Sequence, residues 1–402
     1  MGSSDQQLQD ICQLIVDCPH SSAKDEGAGY PLIRTPNVGR GRLILNGVQR
    51  VSRSVYLERV SRAVPRQGDL ILAREAPAGN VAIIDSDYPV CLGQRTMLLR
   101  PDNNLVNPYF LVYYLNAPEQ RARLLRLSNG ATVPHVNVAD VRAFPVHLPT
   151  RARQDRIASV IKPIDDILTL HACTNGYLYE CCTAKMIDIV SSSDRTMTVG
   201  ECCESIYSGG TPSTKKAAYW NGNLPWLSSG ETRCRFIIDT EKTITELGVA
   251  ESSTKLAKAG DVVMASAGQG FTRGQTSMLF FDTYVNQSVV VMRPRRDYGA
   301  YLLLMLAAQY DNLRAWSDST STRGSMSGKL LRQFELPYFD VEQAKELTAF
   351  TAPMFAMIEK NMRESKALAQ TRDALLPKLM SGEIDVSEVE LPKQPNSHLC
   401  ER

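Results

Sequence analysis

Apolar residues recur at alternating steps of four and three along two long stretches, residues 151–190 and 341–380. Such spacing is typical of long helices with a coiled-coil-like seam. We therefore predict one long helix in each stretch. The predicted seam residues are Ile157, Ile161, Ile164, Leu168 and Leu178 in the first stretch, and Leu347, Phe350, Met354, Met357, Leu368 and Leu375 in the second.

Three residues interrupt these series. Pro163 indicates either a kink or the true start of the first helix. Asn175 and Asn361 occupy seam positions where leucine would stabilise more. A buried asparagine can fix the register between helices at some cost in stability. The alternative is that both asparagines face solvent or a partner.

The region before each predicted helix repeats the other at an offset of about 190 residues. Many small correspondences in the same order indicate an internal duplication. Short β-branched runs separated by Gly and Asn turns predict α+β units. The corresponding positions include Asn37 with Glu231, Gly68-Asp69 with Gly260-Asp261, Gln94 with Gln287, Arg100-Pro101 with Arg293-Pro294, and Phe144 with Phe334.

These patterns predict two tandem α+β domains and two long helices. A chain of 402 residues has room for about two domains with full cores. The predicted ranges are 1–150 for the first domain, 151–193 for the central helix, 194–340 for the second domain, 341–382 for the C-terminal helix and 383–402 for a loose tail.

Composition favours a globular, cytoplasmic protein, since 43% of residues are hydrophobic and 22% are charged. No apolar run approaches a membrane span, and we expect no export signal. The ten cysteines include no C-x-x-C pair. We expect reduced thiols and no metal site.

Charge is unevenly distributed, although the formal net charge is only +2. Between Arg40 and Arg74, eight arginines stand against Glu58 and Asp69. A basic region of this kind suits a polyanionic partner, but a charged stretch is usually only a solvated face.

We find no convincing catalytic set. No phosphate-binding loop is present. The segment 107–110, Asn-Pro-Tyr-Phe, resembles the base clamp of amino-methyltransferases, but it lacks the second proline. An asparagine–proline helix start explains it better.

Without a catalytic set, the candidate function that remains is the recognition of nucleic acid. Basic, aromatic and amide side chains on turns can hold phosphates, stack on bases and read base edges. Trp226, within the same region, is expected in the core instead. The candidate DNA-binding residues are Arg34, Asn37, Arg40, Arg42, Arg74, Gln94, Arg95, Asn129, Lys215, Lys216, Tyr219, Ser228, Ser229, Glu231, Gln269, Arg273, Gln287 and Arg323.

The predicted length of the central helix can be compared with the repeat of DNA. Residues 164–190 as a helix would span about 40 Å, which is roughly one turn of DNA. Two different readers on such a rod would recognise a split, asymmetric site with an unread gap.

Four segments resemble the specificity subunits of type I restriction–modification systems: residues 10–21, 154–168, 208–231 (SGGTPSTKKAAYWNGNLPWLSSGE) and 375–386 (LLPKLMSGEIDV). The first domain departs more, since it lacks the GGTP–YW–PW signature of the second. The resemblance implies two target-recognition domains that read a bipartite site in double-stranded DNA. It also implies that the two long helices pack antiparallel as a spacer.

The resemblance further implies partners that carry the chemistry. Two modification subunits would methylate adenine with S-adenosylmethionine, and restriction subunits would use ATP and Mg to cleave DNA. This chain would bind no cofactor and would not be an enzyme. Two alternatives remain open: a specificity subunit of a methylation-only complex, and a stand-alone nuclease or methyltransferase.

Overall fold

The computed structural model describes residues 4–19, 21–76, 78–127, 135–190, 195–267, 272–320 and 325–386. The chain forms two compact units. Unit 1 comprises Met1–Leu168 and Ala367–Arg402, and unit 2 comprises Thr169–Lys366. The two long helices each contribute one part to either unit.

Unit 1 is an α+β unit. Its five-stranded sheet has the order β2-β9-β6-β7-β4, and a three-stranded sheet has the order β5-β3-β8. Strands β1 and β10 pair separately. The elements are β1 Ser4–Gln7, α1 Leu8–Ile11, β2 Cys12–Asp17, β3 Tyr30–Ile33, β4 Gly41–Arg42, β5 Arg50–Val51, α2 Arg53–Arg59, β6 Leu70–Ala73, β7 Val81–Ile83, β8 Cys91–Leu92, β9 Thr96–Pro101, α3 Pro108–Asn116, α4 Pro118–Arg126, α5 Val138–Arg142, β10 Pro145–Leu148 and the long helix α6 Arg151–Val190.

Unit 2 repeats this plan. Its five-stranded sheet has the order β12-β20-β17-β18-β14, its second sheet has the order β15-β13-β19-β16, and β11 pairs with β21. The elements are β11 Thr196–Thr198, α7 Val199–Cys202, β12 Cys203–Ser208, β13 Trp220–Leu227, β14 Phe236–Ile237, β15 Lys242–Ile244, α8 Glu246–Ala250, β16 Lys255–Ala257, β17 Val262–Ala265, β18 Thr276–Leu279, β19 Thr283–Val285, β20 Val289–Pro294, α9 Gly299–Ala308, α10 Tyr310–Thr320, α11 Gly328–Leu331, β21 Glu335–Pro337 and the long helix α12 Val341–Ser381.

The predicted duplication is confirmed by the sheet topology, because the two five-stranded sheets have equivalent strands in the same order. An ion pair to a buried aspartate is repeated as well. Nη2 of Arg100 lies 2.7 Å from Oδ2 of Asp69 in unit 1, and Nη2 of Arg293 lies 2.8 Å from Oδ2 of Asp261 in unit 2. Both aspartates also cap the turn before their strand, since their carboxylates accept the backbone N–H of the residue three positions earlier.

The core of each unit lies between its sheet and its helices. In unit 1, α3 buries six consecutive residues, from Phe110 to Leu115. The first part of α6 joins this core through Ile157 and Ile161, together with Leu376 and Leu379 near the end of α12. Apolar burial of this kind is the main stabilising contribution.

In unit 2 the second part of α6 and the first part of α12 join the core in the same way. Cys182 and Met186 of α6 pack in one cluster with Leu347 and Ile358 of α12. The nine cysteines of the described residues are free thiols. Burial raises the pKa of Cys182 to about 11, so this thiol stays protonated at neutral pH.

The long helices begin and end close to their predicted bounds. Pro163 lies inside α6 on an exposed face. The alternative that the helix starts at Pro163 is therefore wrong. A proline on the solvent side costs one backbone hydrogen bond without placing its ring in the core.

The buried face of α12 differs from the predicted seam at two positions. Phe350 and Met357 are 37% and 47% exposed, while Thr351 and Ile358 are buried. Each predicted residue precedes the buried one by one position, which corresponds to a rotation of about 100° around the helix. The series 347, 351, 354, 358, 361 satisfies the same spacing, so the periodicity alone could not choose between the two faces.

Asn175 and Asn361 meet each other in unit 2. The Nδ2 of Asn361 donates a hydrogen bond of 2.9 Å to Oδ1 of Asn175, and Asn361 is buried. The alternative that both face solvent or a partner is therefore wrong.

The start of the predicted loose tail is packed. Val386 is buried in the core of unit 1, close to the end of α12. That part of the prediction is wrong, because Ile384 and Val386 supply apolar surface that unit 1 can bury. Residues 387–402 lie outside the described residues. None of the described helices combines the length and the apolar character needed to cross a membrane.

Candidate nucleic-acid interface

Asn37 and Glu231 occupy equivalent turns and perform the same structural task. Oδ1 of Asn37 accepts the backbone N–H of Arg34 at 3.1 Å. Oε2 of Glu231 accepts the backbone N–H and the hydroxyl of Ser228, both at 2.8 Å. Each side chain closes a short 3₁₀ turn of the kind that Asx and capping residues favour. These predicted contact residues therefore shape the loops that carry Arg34 and Ser229.

Part of the basic stretch between Arg40 and Arg74 is used inside unit 1. Arg42 forms ion pairs with Asp85 and Asp166. Arg59 is buried and donates to the carbonyls of Leu92 and Ser21. These two acceptors offset part of the cost of burying this guanidinium. The exposed arginines are the candidate Arg34, which precedes the stretch, and Arg40, Arg53, Arg62 and Arg66 within it.

A pocket of about 370 Å³ in unit 1 brings together three predicted residues, Arg74, Gln94 and Arg95, with Glu75 and His135. Arg74 is buried and binds Asp17 at 2.6 Å. Arg95 is exposed and pairs through Nε with Oε2 of Glu75 at 2.9 Å. Our sequence reasoning missed Glu75 and His135. One signal was available in the sequence, since Glu75 directly follows the candidate Arg74.

The predicted aromatic and basic loop of unit 2 is also partly internal. Tyr219 is buried, and its hydroxyl and Nζ of Lys216 both bind Glu251. The pKa of the Glu251 carboxyl is lowered. The hydrogen bond from Tyr219 is the largest cause, and the hydrogen bond from Lys216 is the next. Lys215 is exposed. Trp226 is buried, as predicted, and its indole N–H donates to the carbonyl of Gly210 at 3.3 Å.

Of the remaining candidate DNA-binding residues in unit 2, one is exposed and one is buried among the described residues. Gln287 is exposed and accepts a hydrogen bond from the hydroxyl of Thr211. Arg273 is buried and pairs with Asp318 at 2.7 Å. The predicted residues Asn129, Gln269 and Arg323 lie outside the described residues.

The clamp-like segment at residues 107–110 starts a helix. Oδ1 of Asn107 accepts the backbone N–H groups of Tyr109 and Phe110, at 2.9 and 3.2 Å. Pro108 is the first residue of α3. This is an N-cap followed by proline at the first helical position. Within the described ranges, no group of three or more His, Cys, Asp or Glu residues could hold a metal ion.

A family model described as "Type I restriction modification DNA specificity domain" matches residues 3–175 and again residues 194–359. The chain belongs to this family. The two matches fall on the two copies of the duplicated plan, so the chain carries two DNA specificity domains, one in each repeat. This confirms the resemblance seen in the sequence motifs.

Relatives in the type I specificity family cover most of the chain. The MjaIX specificity subunit of Methanocaldococcus jannaschii is 22% identical over 375 residues, which are 86% of this chain and 84% of that protein. The HindI specificity subunit of Haemophilus influenzae is 20% identical over 406 residues, covering 79% and 87%. The solved S subunit from M. genitalium has a TM-score of 0.57 at 15% identity and covers 94% of this chain and 96% of that one, which shows a shared fold.

Proposed function

We propose that this specificity-family chain is the DNA-reading subunit of a type I restriction–modification complex. Each specificity domain reads one part of a bipartite, asymmetric site. The observation that carries the proposal is the duplication: two copies of one backbone plan present different side chains at equivalent exposed loops. The shared backbone plan places the exposed loops of the two domains in comparable positions. Their different side chains give the two domains different base preferences.

The two long helices are proposed as an antiparallel coiled-coil spacer. In unit 1, Asp165 of α6 pairs with Arg372 of α12. In unit 2, the α6 residues 171, 175 and 185 contact the α12 residues 365, 361 and 346 in descending order. The opposite order of the three contacts in unit 2 supports antiparallel packing.

The chemistry is assigned to partners. Two modification subunits would transfer methyl groups to adenine from S-adenosylmethionine, and restriction subunits would use ATP and Mg for cleavage. The chain itself is proposed to be non-catalytic, to bind no cofactor and to act in the cytoplasm. The relatives' names, which describe specificity subunits of restriction enzymes, support this division of labour.

The exposed apolar side chains of α6 in unit 2 are our proposed contact for a modification subunit. Leu170, Tyr177 and Ile187 are 63%, 69% and 55% exposed. Large apolar side chains that remain in water on one helix mark a surface suited to a protein partner.

The test is reconstitution. The chain is co-expressed with the modification subunits of its own system, the complex is purified, and a random DNA pool is methylated and sequenced. We expect co-purification and one bipartite motif with methylated adenines, which depends on this chain. Failure to co-purify would contradict the docking proposal. Methylation or cleavage by the chain alone would instead establish the stand-alone enzyme.

Cleavage separates the remaining alternative. Adding the restriction subunits and ATP should cut unmethylated DNA that contains the motif. A complex that methylates the motif but never supports cleavage would be the methylation-only form.

A further inference from the structure

The pocket of unit 1 is built on a backbone frame that unit 2 shares. The backbone N–H of Arg74 donates to the carbonyl of Arg95 at 2.8 Å, and the carbonyl of Arg74 accepts from Val136 at 3.1 Å. In unit 2 the backbone N–H of Ser266 donates to the carbonyl of Ser288 at 2.8 Å, and the carbonyl of Ser266 accepts from Met326 at 2.8 Å. The same three segments therefore meet in both units.

The side chains on this common frame differ completely. Unit 1 carries large charged or titratable groups, whereas unit 2 carries small ones. A frame held constant while its side chains change is the arrangement needed to give two readers different specificities. The equivalent positions are Arg74 with Ser266, Glu75 with Ala267, Arg95 with Ser288, and His135 with Ser325.

Arg95 is held through both its backbone and its side chain, and yet the side chain is exposed. Its backbone has a left-handed φ of 65°, and its carbonyl is held by Arg74. Its Nε lies against Oε2 of Glu75 at 2.9 Å, while 59% of its side chain is exposed. An ion pair through Nε leaves the two terminal amino groups of the guanidinium to bind a ligand. A side chain held this way loses little further conformational entropy on binding.

Glu75 is itself held in place from behind. Its Oε1 lies 2.7 Å from Nδ1 of His135, and Nε2 of His135 lies 2.5 Å from Nη2 of Arg74. A guanidinium only donates hydrogen bonds, so Nε2 of His135 accepts and Nδ1 donates to Glu75. Arg74 is anchored in turn by Asp17 at 2.6 Å. This series of side-chain contacts, which begins at Asp17 and ends at Arg95, thus orients one exposed guanidinium.

We propose that Arg95 determines specificity in the first half-site by reading a guanine in the major groove, and that Glu75 and His135 are its positioning residues. Guanine presents two adjacent acceptors, O6 and N7, which match the two terminal amino groups of an arginine. This inference rests on the proposed function, because it requires that unit 1 binds DNA bases.

The test compares the DNA motifs selected by purified complexes of the full chain with its modification subunits. Wild type, Arg95→Ser, Arg95→Lys and Glu75→Gln each select from a random duplex pool. The matched control is Arg53→Ser, which removes another exposed arginine, on α2. Arg95→Ser installs the residue that unit 2 carries at the same position.

We expect the wild-type motif to contain a G·C pair that Arg95→Ser no longer selects, with about ten- to hundredfold less discrimination at that position. Arg95→Lys should weaken the preference, because the ammonium lacks the planar fork of a guanidinium, while overall affinity is retained. Glu75→Gln should weaken the preference, and every other position should keep its base. Arg53→Ser should leave the motif unchanged.

Three results would overturn the inference. An unchanged motif in Arg95→Ser would show that Arg95 reads no base. A uniform loss of affinity with the same motif would make Arg95 a phosphate contact. If Arg95→Ser fails to assemble, Arg95→Lys decides: a guanine preference as strong as that of the wild type contradicts the inference. A wild-type complex that selects no motif would instead refute the proposed function, and the inference with it.

Discussion

At the residue scale, the repeated ion pairs show how a duplicated sequence preserves its framework. Asp69 and Asp261 are buried, and each binds an arginine on a neighbouring strand through both carboxylate oxygens. Each also accepts a backbone N–H of the preceding turn. A buried carboxylate with all these partners is far less costly than one that lacks any of them.

Asp69→Asn should lower the free energy of unfolding by about 3 kcal/mol, because Arg100 would keep its charge without the opposing carboxylate. The measurement is thermal and denaturant unfolding of the full chain. Asp87→Asn, at an exposed position, is the matched control and should change little. Equal unfolding midpoints for Asp69→Asn and the control would show that the pair contributes nothing to stability.

At the element scale, the long helices combine apolar packing with a polar contact. Leu347 and Ile358 bury apolar surface in unit 2, while Asn361 binds Asn175 in the same unit. The amide pair contributes less stability than two leucines would. Its contribution is register, since the two amides bond only when these positions lie opposite each other.

A double-mutant cycle at Asn175 and Asn361 tests this role. Each single change to leucine leaves one amide without its partner, which should cost about 1–2 kcal/mol. The double change removes both polar groups and should be more stable than either single variant. Unfolding of the four proteins gives the coupling energy directly. Additive effects, with no coupling, would mean that the two amides act independently.

At the scale of the whole molecule, the proposed spacer makes a prediction about the DNA site. A seven-residue insertion, placed in both α6 after Leu168 and α12 after Lys366, keeps the seam in phase and adds about 10 Å of helix. The unread gap should grow by about three base pairs, with both half-site sequences unchanged. Motif selection with the reconstituted complex measures the gap.

Insertion into α6 alone is the control for this experiment. It shifts every contact between α6 and α12 beyond the insertion, so the complex should lose binding rather than change its gap. A gap that stays the same in the doubly lengthened chain would exclude the helices as the spacer.

The candidate site was predictable only in part. Arg95 and Gln94 were found from the sequence because they follow a strand and precede another, where turns expose side chains. Arg42 and Arg74 carry the same charge on the same kind of stretch, but both are engaged by aspartates distant in sequence. Whether an arginine faces solvent depends on which acids the fold brings beside it, and spacing carries no such information.

The amino-acid sequence by itself determined the duplication, the α+β character of the units and the two long helices, because these follow from local periodicity and from a near-constant offset between like residues. Tertiary structure decided which face of α12 is buried, placing Ile358 inside and Met357 outside. It also decided that Glu75 and His135 stand behind Arg95. Burial and ion pairing depend on partners from distant segments, and only the folded chain brings those partners together.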